Sequence, residues 1–257
     1  MTDLEIINTY AKEHSQNKIW GTHMPFIFYT ENNELKLLFS IYINGYWKLH
    51  LFDFNTKEIK RLPGLEDILE INECNPCIYI NKKHQYILQY LKAPNNAPRQ
   101  GIIGIGKNLN KLKWSQYNDV TFTAKNSTFD IYSHDFNGKI IYFKNLLTNE
   151  IMTLELRYGI LARITPLMFN DYQFLLSTYP TNLNVKITTT YLIDLKTKTF
   201  KILQLLNGHD PYKASINTLT GEVFYTIRKS YNFEDREIKC TSNWKFLDPV
   251  LPAIKFN

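Results

Sequence analysis

One turn recurs three times along this chain of 257 residues. Phe52-Asp53-Phe54-Asn55-Thr56 precedes Ile59 and Leu62, Lys144-Asn145-Leu146-Leu147-Thr148 precedes Ile151 and Leu154, and Ile193-Asp194-Leu195-Lys196-Thr197 precedes Phe200 and Leu203. Each reads as a strand, a tight turn and a return strand, because Asp or Asn can accept a hydrogen bond from the backbone two residues on, while the flanks are β-branched or aromatic. The first two copies lie 92 residues apart and the last two 49. A period of roughly 46 to 49 residues, with one degenerate copy between, suits a repeated four-stranded unit.

Short apolar strands open the proposed units at Phe26 to Tyr29, Cys77 to Ile80, Phe129 to Tyr132, Pro166 to Phe169 and Ala214 to Ile216. Three of them follow a similar lead, His23-Met24-Pro25, Cys74-Asn75-Pro76 and His209-Asp210-Pro211, where proline ends one strand pairing and sets the direction of the next. Five openings predict an all-β, five-bladed β-propeller, with an open β-sandwich or β-meander as the alternative. The openings are unevenly spaced, at 51, 52, 37 and 48 residues. In its Asp-x-x-Thr turns the chain resembles the WD40-like and TolB-like propeller group, which implies a binding scaffold and no particular ligand. It lacks the Trp-Asp dipeptide that ends WD40 blades.

The chain is long enough for one sizeable core, and no Gly-, Pro- or Ser-rich linker divides it, so residues 1–257 read as a single domain. Thr2-Asp3-Leu4-Glu5 has capping-box spacing, and Leu4, Ile7 and Ala11 then share one helical face. A short helix over residues 3 to 14, within an N-terminal segment 1–17, is the expectation. Asn44-Gly45, Asn137-Gly138 and Thr220-Gly221 mark hairpins. Ring closure is expected from Lys18-Ile19-Trp20 or from the tail strands Glu237 to Cys240 and Trp244 to Leu247, because an unclosed ring exposes two sheet edges. Tyr42, Trp47, Tyr142, Phe174, Tyr191 and Phe224 read as packing residues between blades. The N-terminus is acidic and broken, no apolar run suffices to span a bilayer, and three cysteines give no disulfide framework. A cytoplasmic protein with no membrane association is expected.

The net charge is +6, and its distribution says more than its size. From Cys74 to Asn118 there is no Asp or Glu, whereas Lys82, Lys83, Lys92, Arg99, Lys107, Lys111 and Lys113 supply seven positive charges. The rest of the chain nets to −1. These residues, with Trp114, are the candidate surface for an acidic protein partner, since a field of one sign raises association rates and fixes orientation. Nucleic acid ranks lower: only one of the seven is Arg, whose planar fork suits phosphate, and no nucleic-acid motif is present. An adaptor or inhibitor, including an immunity protein that neutralises a toxin, fits such a scaffold.

Catalytic chemistry has thin support. Cys74-Asn75-Pro76-Cys77 lacks the second pair a zinc site needs, and Gly101 to Gly106 has the wrong spacing for a phosphate loop and reads as a glycine-weakened strand. No metal or cofactor is expected. His209-Asp210-Pro211, with the strand after it and Gly221-Glu222-Val223-Phe224-Tyr225, resembles a blade opening of five-bladed glycosidases, where an Asp at the channel mouth serves as base. Those enzymes need converging carboxylates. The corresponding openings offer His23, Asn75, Asp130 and Arg163, so Asp130 and Asp210 are the candidate pair, with Glu73 or Asp171 as remote third members. A glycan-active or glycan-binding propeller is therefore the alternative function.

Overall fold

Five antiparallel sheets stand around one axis as the blades of a β-propeller. The computed structural model describes residues 1–15, 21–62, 71–94, 100–117, 122–134, 138–179, 188–228 and 236–257. Blade 1 comprises β1 (Thr22–Tyr29), β2 (Leu35–Ile43), β3 (Tyr46–Asp53) and β4 (Ile59–Arg61). Blade 2 comprises β5 (Ile71–Ile80), β6 (Tyr86–Pro94), β7 (Gln100–Gly106) and β8 (Lys113–Tyr117). Blade 3 holds β9 (Phe122–Lys125), β10 (Phe129–Ser133), β11 (Ile140–Asn145) and β12 (Ile151–Leu156). Blade 4 holds β13 (Ile160–Leu167), β14 (Asn170–Tyr179), β15 (Thr189–Asp194) and β16 (Thr199–Leu205). Blade 5 has three strands, β17 (Tyr212–Asn217), β18 (Glu222–Arg228) and β19 (Arg236–Thr241). The innermost strands β1, β5, β9, β13 and β17 touch in a closed ring.

The repeated turn joins the third and fourth strands of blades 1, 3 and 4. Asp53 Oδ1 accepts from the amides of Asn55 and Thr56, at 2.9 and 3.3 Å. Asn145 Oδ1 does the same for Leu147 and Thr148, at 2.9 and 3.2 Å, and Asp194 Oδ1 for Lys196 and Thr197, at 2.9 and 3.0 Å. Each turn then closes through a left-handed residue, Lys57, Asn149 or Lys198. In blade 2, Asn108 accepts from the Asn110 amide in the equivalent turn.

The hairpins at Asn44-Gly45 and Thr220-Gly221 form as expected, with left-handed backbone at Asn44, Gly45 and Gly221. Asn137 lies outside the described residues. Gly101 to Gly106 belongs to β7, and a Cβ on Gly104 would come within 2.7 Å of the Trp114 ring on β8. The close neighbour that this glycine admits is thus the adjacent strand. Cys74 and Cys77 are free thiols on β5, and burial pushes the Cys77 pKa up to about 11.

Two openings are displaced. Phe129 to Tyr132 falls on β10, the second strand of blade 3; the innermost strand is the four-residue β9, unmarked by a proline lead. Asn126 Oδ1 closes the turn between them, accepting from Thr128 and Phe129 amides at 3.0 and 2.8 Å. Pro166 to Phe169 covers the end of β13 and the turn after it. The innermost strands themselves begin 49, 51, 38 and 52 residues apart, so the uneven spacing belongs to the blades and not to these displacements.

The tail strands pair elsewhere than ring closure would require. Glu237 to Cys240 is the third strand of blade 5, in sequence order. Trp244 to Leu247 forms β20 on the outer edge of blade 4, and β21 (Ile254–Phe256) adds to the outer edge of blade 3. The tail therefore steps backward across two blades and covers their edges. Lys18-Ile19-Trp20 lies outside the described residues; Gly21 makes a single parallel bridge to Arg236. Beside the three-stranded blade 5 packs α1 (Asp3–His14), with the Thr2–Glu5 capping box formed. Ile7 and Ala11 are buried against Ile27, Phe39, Phe224 and Ile238, and Asn8 Nδ2 donates to Glu237 Oε1 at 2.9 Å. No helix is long and apolar enough to cross a membrane among the described residues.

One buried side chain, Arg163, links four of the inner strands. In β1, β5 and β17 the pairing register slips at His23/Phe26, Cys74/Cys77 and Tyr212/Ser215, and Met24, Asn75 and Lys213 at these bulges are left-handed, with φ of 55°, 49° and 51°. Arg163 on β13 reaches into their centre, 1% exposed. One terminal nitrogen donates to the carbonyls of Pro25 and Lys213, at 3.0 and 3.1 Å, and the other to that of Pro76 at 3.2 Å. Blade 4 is thereby tied to blades 1, 2 and 5 through one planar fork. Burial pulls the Arg163 pKa down to about 9, above neutrality, so the group stays charged.

Two stability predictions follow from these packings. Arg163→Met keeps most of the volume but leaves three buried carbonyls without their donor, so it should lower unfolding free energy by about 2–4 kcal/mol in urea titration. Arg163→Lys keeps the charge without the fork and should also destabilise. The second concerns His50 on β3, 1% exposed between Tyr10 and Phe39 with Nδ1–H donating to the Lys48 carbonyl at 2.9 Å. Burial, with smaller contributions from Arg61 and His14, holds its pKa down at about 4 against an ordinary 6.5. The unfolded chain then binds the proton first as pH falls, so stability should drop between about pH 6.5 and 4 by about 3 kcal/mol. His50→Gln should flatten that part of a stability-versus-pH curve, and an unchanged curve would refute the assignment.

Candidate binding faces at the two ends of the axis

Strand alternation sorts the connections. Links from first to second strand and from third to fourth emerge at one end of the propeller, the turn end. Links from second to third strand and between blades emerge at the other, the loop end. Every candidate residue can be assigned to one end by its place in this scheme.

At the loop end His23, Trp47, Tyr212 and Arg236 form one cluster drawn from blades 1 and 5. The His23 ring lies 5.1 Å from Trp47 and 5.7 Å from Tyr212, and the Arg236 guanidinium sits 5.4 Å from the Trp47 ring centre. His23 Nε2 meets an Arg236 nitrogen, and its Nδ1 meets Thr226 Oγ1 at 3.2 Å. The Tyr179 and Tyr212 hydroxyls are hydrogen-bonded, and Lys213 Nζ lies 5.3 Å from the Tyr212 ring centre. His23, Tyr212, Lys213 and Arg236 are all buried. Sequence reasoning marked His23 as an opening residue but took Trp47 for packing; the proline lead was the available signal, and nothing local tied Arg236 to it.

The carboxylates do not gather. Asp210 lies in the connection before β17, at the loop end, where burial raises its pKa. Asp130 pairs in register with the last residue of β9 next to the turn end, its carboxylate 3.7 Å from Lys125 Nζ. The two therefore belong to opposite ends. Glu73 is buried in an ion pair with Arg61 at 2.6 Å and accepts from the Leu49 amide at 2.6 Å; burial raises its pKa. Asp171, at the turn end, accepts from the hydroxyls of Ser127 and Thr128.

The basic segment divides likewise. Lys82 and Lys83 stand in the β5–β6 turn and Lys107 and Lys111 in the β7–β8 turn, all exposed at the turn end of blade 2. Lys113 begins the outer strand β8 beside them. Trp114 is half-buried, packed on Gly104 and edge-on to Tyr90 at 5.9 Å. Lys92, paired in register with Glu73, belongs to the loop-end half of β6. Arg99 lies outside the described residues. Among the described residues, Lys82, Lys83, Lys107 and Lys111 form no ion pair, whereas acids at the same end are engaged: Glu31 with His84 at 2.9 Å, Asp53 with Lys36, and Asp171 with its two hydroxyls. The four lysines therefore form a local positive cluster at the turn end of blade 2.

No protein-family model and no curated protein sequence matches the chain. Solved structures are similar in fold. TolB from Acinetobacter baumannii superposes with a TM-score of 0.52 at 15% identity, over 91% of this chain and 57% of that one. CoXyl43, a GH43 β-xylosidase/α-arabinofuranosidase from a compost microbial metagenome in complex with xylotriose, gives 0.52 at 12% identity, over 89% of this chain and 93% of that one. A glycoside hydrolase candidate from Parabacteroides distasonis gives 0.51 at 11% identity, over 89% and 88% of the two chains. At such identities the likeness concerns architecture alone, and it agrees with the strand order: the chain is a five-bladed β-propeller.

Proposed function

We propose that this chain is a non-catalytic binding propeller that takes an acidic protein partner at its turn end, in an adaptor or inhibitor role of the immunity type, inside the cytoplasm. The observation that carries the reading is the set of four exposed lysines on blade 2, Lys82, Lys83, Lys107 and Lys111, which form no ion pair among the described residues. An acidic surface brought against them gains attraction without first breaking existing pairs, and their field steers its approach.

A second reading places a glycan at the loop end. It is favoured by the aromatic and cationic cluster of His23, Trp47, Tyr212 and Arg236 there, and by the fold shared with a xylosidase holding xylotriose. Against hydrolysis stands the separation of Asp130 from Asp210, since glycoside chemistry requires two carboxyl groups flanking one bond.

Affinity purification from the native cell, with mass spectrometry, should recover an acidic protein. Reversing Lys82, Lys83, Lys107 and Lys111 to Glu should then slow its association and flatten the salt dependence, while the melting temperature changes little, because exposed lysines contribute weakly to folding. Reversing Lys245 and Lys255 on the outer rim should do less. Equal losses from both sets would mean that only net charge matters. Turnover of aryl glycosides is expected to be undetectable, and robust hydrolysis abolished by Asp210→Ala would reverse the ranking of the two readings.

A further inference from the structure

The turn end carries a second feature that charge alone does not explain. Phe169, in the β13–β14 turn of blade 4, is 73% exposed and left-handed, with φ of 60°. A bulky side chain in that conformation is rare and strained. Leu219 in the β17–β18 turn of blade 5 is 64% exposed, and Leu147 in the β11–β12 turn of blade 3 is 71% exposed. Tyr172, at the start of β14, is exposed between them.

These turns form one surface. Thr218 Oγ1 donates to the Met168 carbonyl at 3.4 Å, joining blade 5 to blade 4. The Phe169 ring lies 6.1 Å from Tyr29 at the end of β1, and Asn217 Nδ2 donates to the Tyr29 hydroxyl at 3.3 Å. Toward blade 3, the Asp171 carboxylate holds Ser127 and Thr128, and the Leu146 amide donates to the Thr128 carbonyl at 2.9 Å. Exposed apolar side chains from three successive blades thus share the turn end with the lysines of blade 2. Lys196 and Lys198 in the β15–β16 turn of blade 4 also stand exposed at this end. Large exposed aromatics at the same end as a cluster of exposed lysines match the arrangement in which an apolar anchor supplies affinity and the charged residues supply orientation.

We infer that the segment docking at the turn end is amphipathic: an acidic protein segment carrying a large apolar side chain that packs on Phe169 and Leu219 while its carboxylates face the lysines. This rests on the acidic-partner reading and goes beyond it by assigning the anchor, which lies on blades 4 and 5 outside the basic segment. Charge complementarity selects this occupant over a second copy of the chain, whose same face would bring lysines against lysines.

Phe169→Gly tests the anchor cleanly, because glycine adopts the left-handed backbone without a Cβ clash, so the fold should melt at the same temperature or higher. A random dodecapeptide library displayed on phage is panned on the full chain, and enriched peptides are measured against three proteins. These are the wild type, Phe169→Gly, and the Lys82, Lys83, Lys107 and Lys111 reversal to Glu. Enriched peptides should combine acidic residues with Phe, Trp or Leu, and their affinity should fall at least tenfold on each variant. Peptides lost on the lysine reversal but unchanged on Phe169→Gly would overturn the anchor and leave the acidic-partner reading standing. Peptides unaffected by the lysine reversal would overturn that reading, and so would a library from which nothing is enriched. Concentration-dependent dimerisation in sedimentation, abolished by Phe169→Gly, would make a second copy the occupant and overturn the proposal.

Discussion

The ring depends on how its inner strands are linked. Five inner strands leave a narrow central space lined by backbone that bulges inward, and carbonyls turned there need donors. Arg163 meets the need with two terminal nitrogens shared among three carbonyls on three blades. Two of the three proline leads now have a physical reason; in blade 5 the left-handed Lys213 is followed by Ala214, and Pro211 lies before the bulge. Pro25 and Pro76 follow the left-handed residues Met24 and Asn75, so each bulge presents a carbonyl to the axis without also stranding an amide N–H. The requirement for a left-handed residue and then a residue lacking an N–H is written into His23-Met24-Pro25 and Cys74-Asn75-Pro76.

The buried loop-end cluster around His23 and the exposed turn-end side chains around Phe169 lie at opposite ends of the strands. The turn end is ordered by local chemistry: Asp53, Asn145, Asp194, Asn81, Asn126 and Asn217 each accept hydrogen bonds from backbone amides of their own turn. Such turns hold exposed side chains in fixed positions without burying them, which a binding face requires. Four of these six turn residues are neutral Asn, so the turns are built with few carboxylates beside the lysines of blade 2.

The local features were legible in the sequence and the long-range ones were not. A side chain bonding its own turn leaves a short signature, so the three repeated turns, the Thr2 capping box and the Asn44-Gly45 hairpin could be placed to the residue. The charge asymmetry of blade 2 was equally plain, although its division between two ends of the propeller depends on strand direction. The strand β9 escaped because four residues carry too little periodicity to stand out beside the stronger Phe129 to Tyr132 pattern. The placement of the tail escaped because β20 and β21 pair with strands well before them in sequence. Phe169 was read as strand since nothing in Leu167-Met168-Phe169-Asn170 signals a left-handed phenylalanine.

Arg163 shows how the same residue can be found and misread. Its position was identified as a blade opening, where glycosidase chemistry would want a carboxylate, and it was noted only as a mismatch. Its burial changes the inference. A cation held at the axis by carbonyls raises the potential around it, and Lys213 and Arg236 add to a cationic environment at the loop end. A carboxylate poised as a general acid must instead hold its proton near neutrality, which neighbouring positive charge opposes. The sign of the axial charge therefore works against the acid half of a glycosidase pair at the loop end, in opposition to the burial that raises the Asp210 pKa there. The same sign favours anionic groups on whatever approaches either end, and at the turn end they would find exposed lysines and exposed apolar side chains.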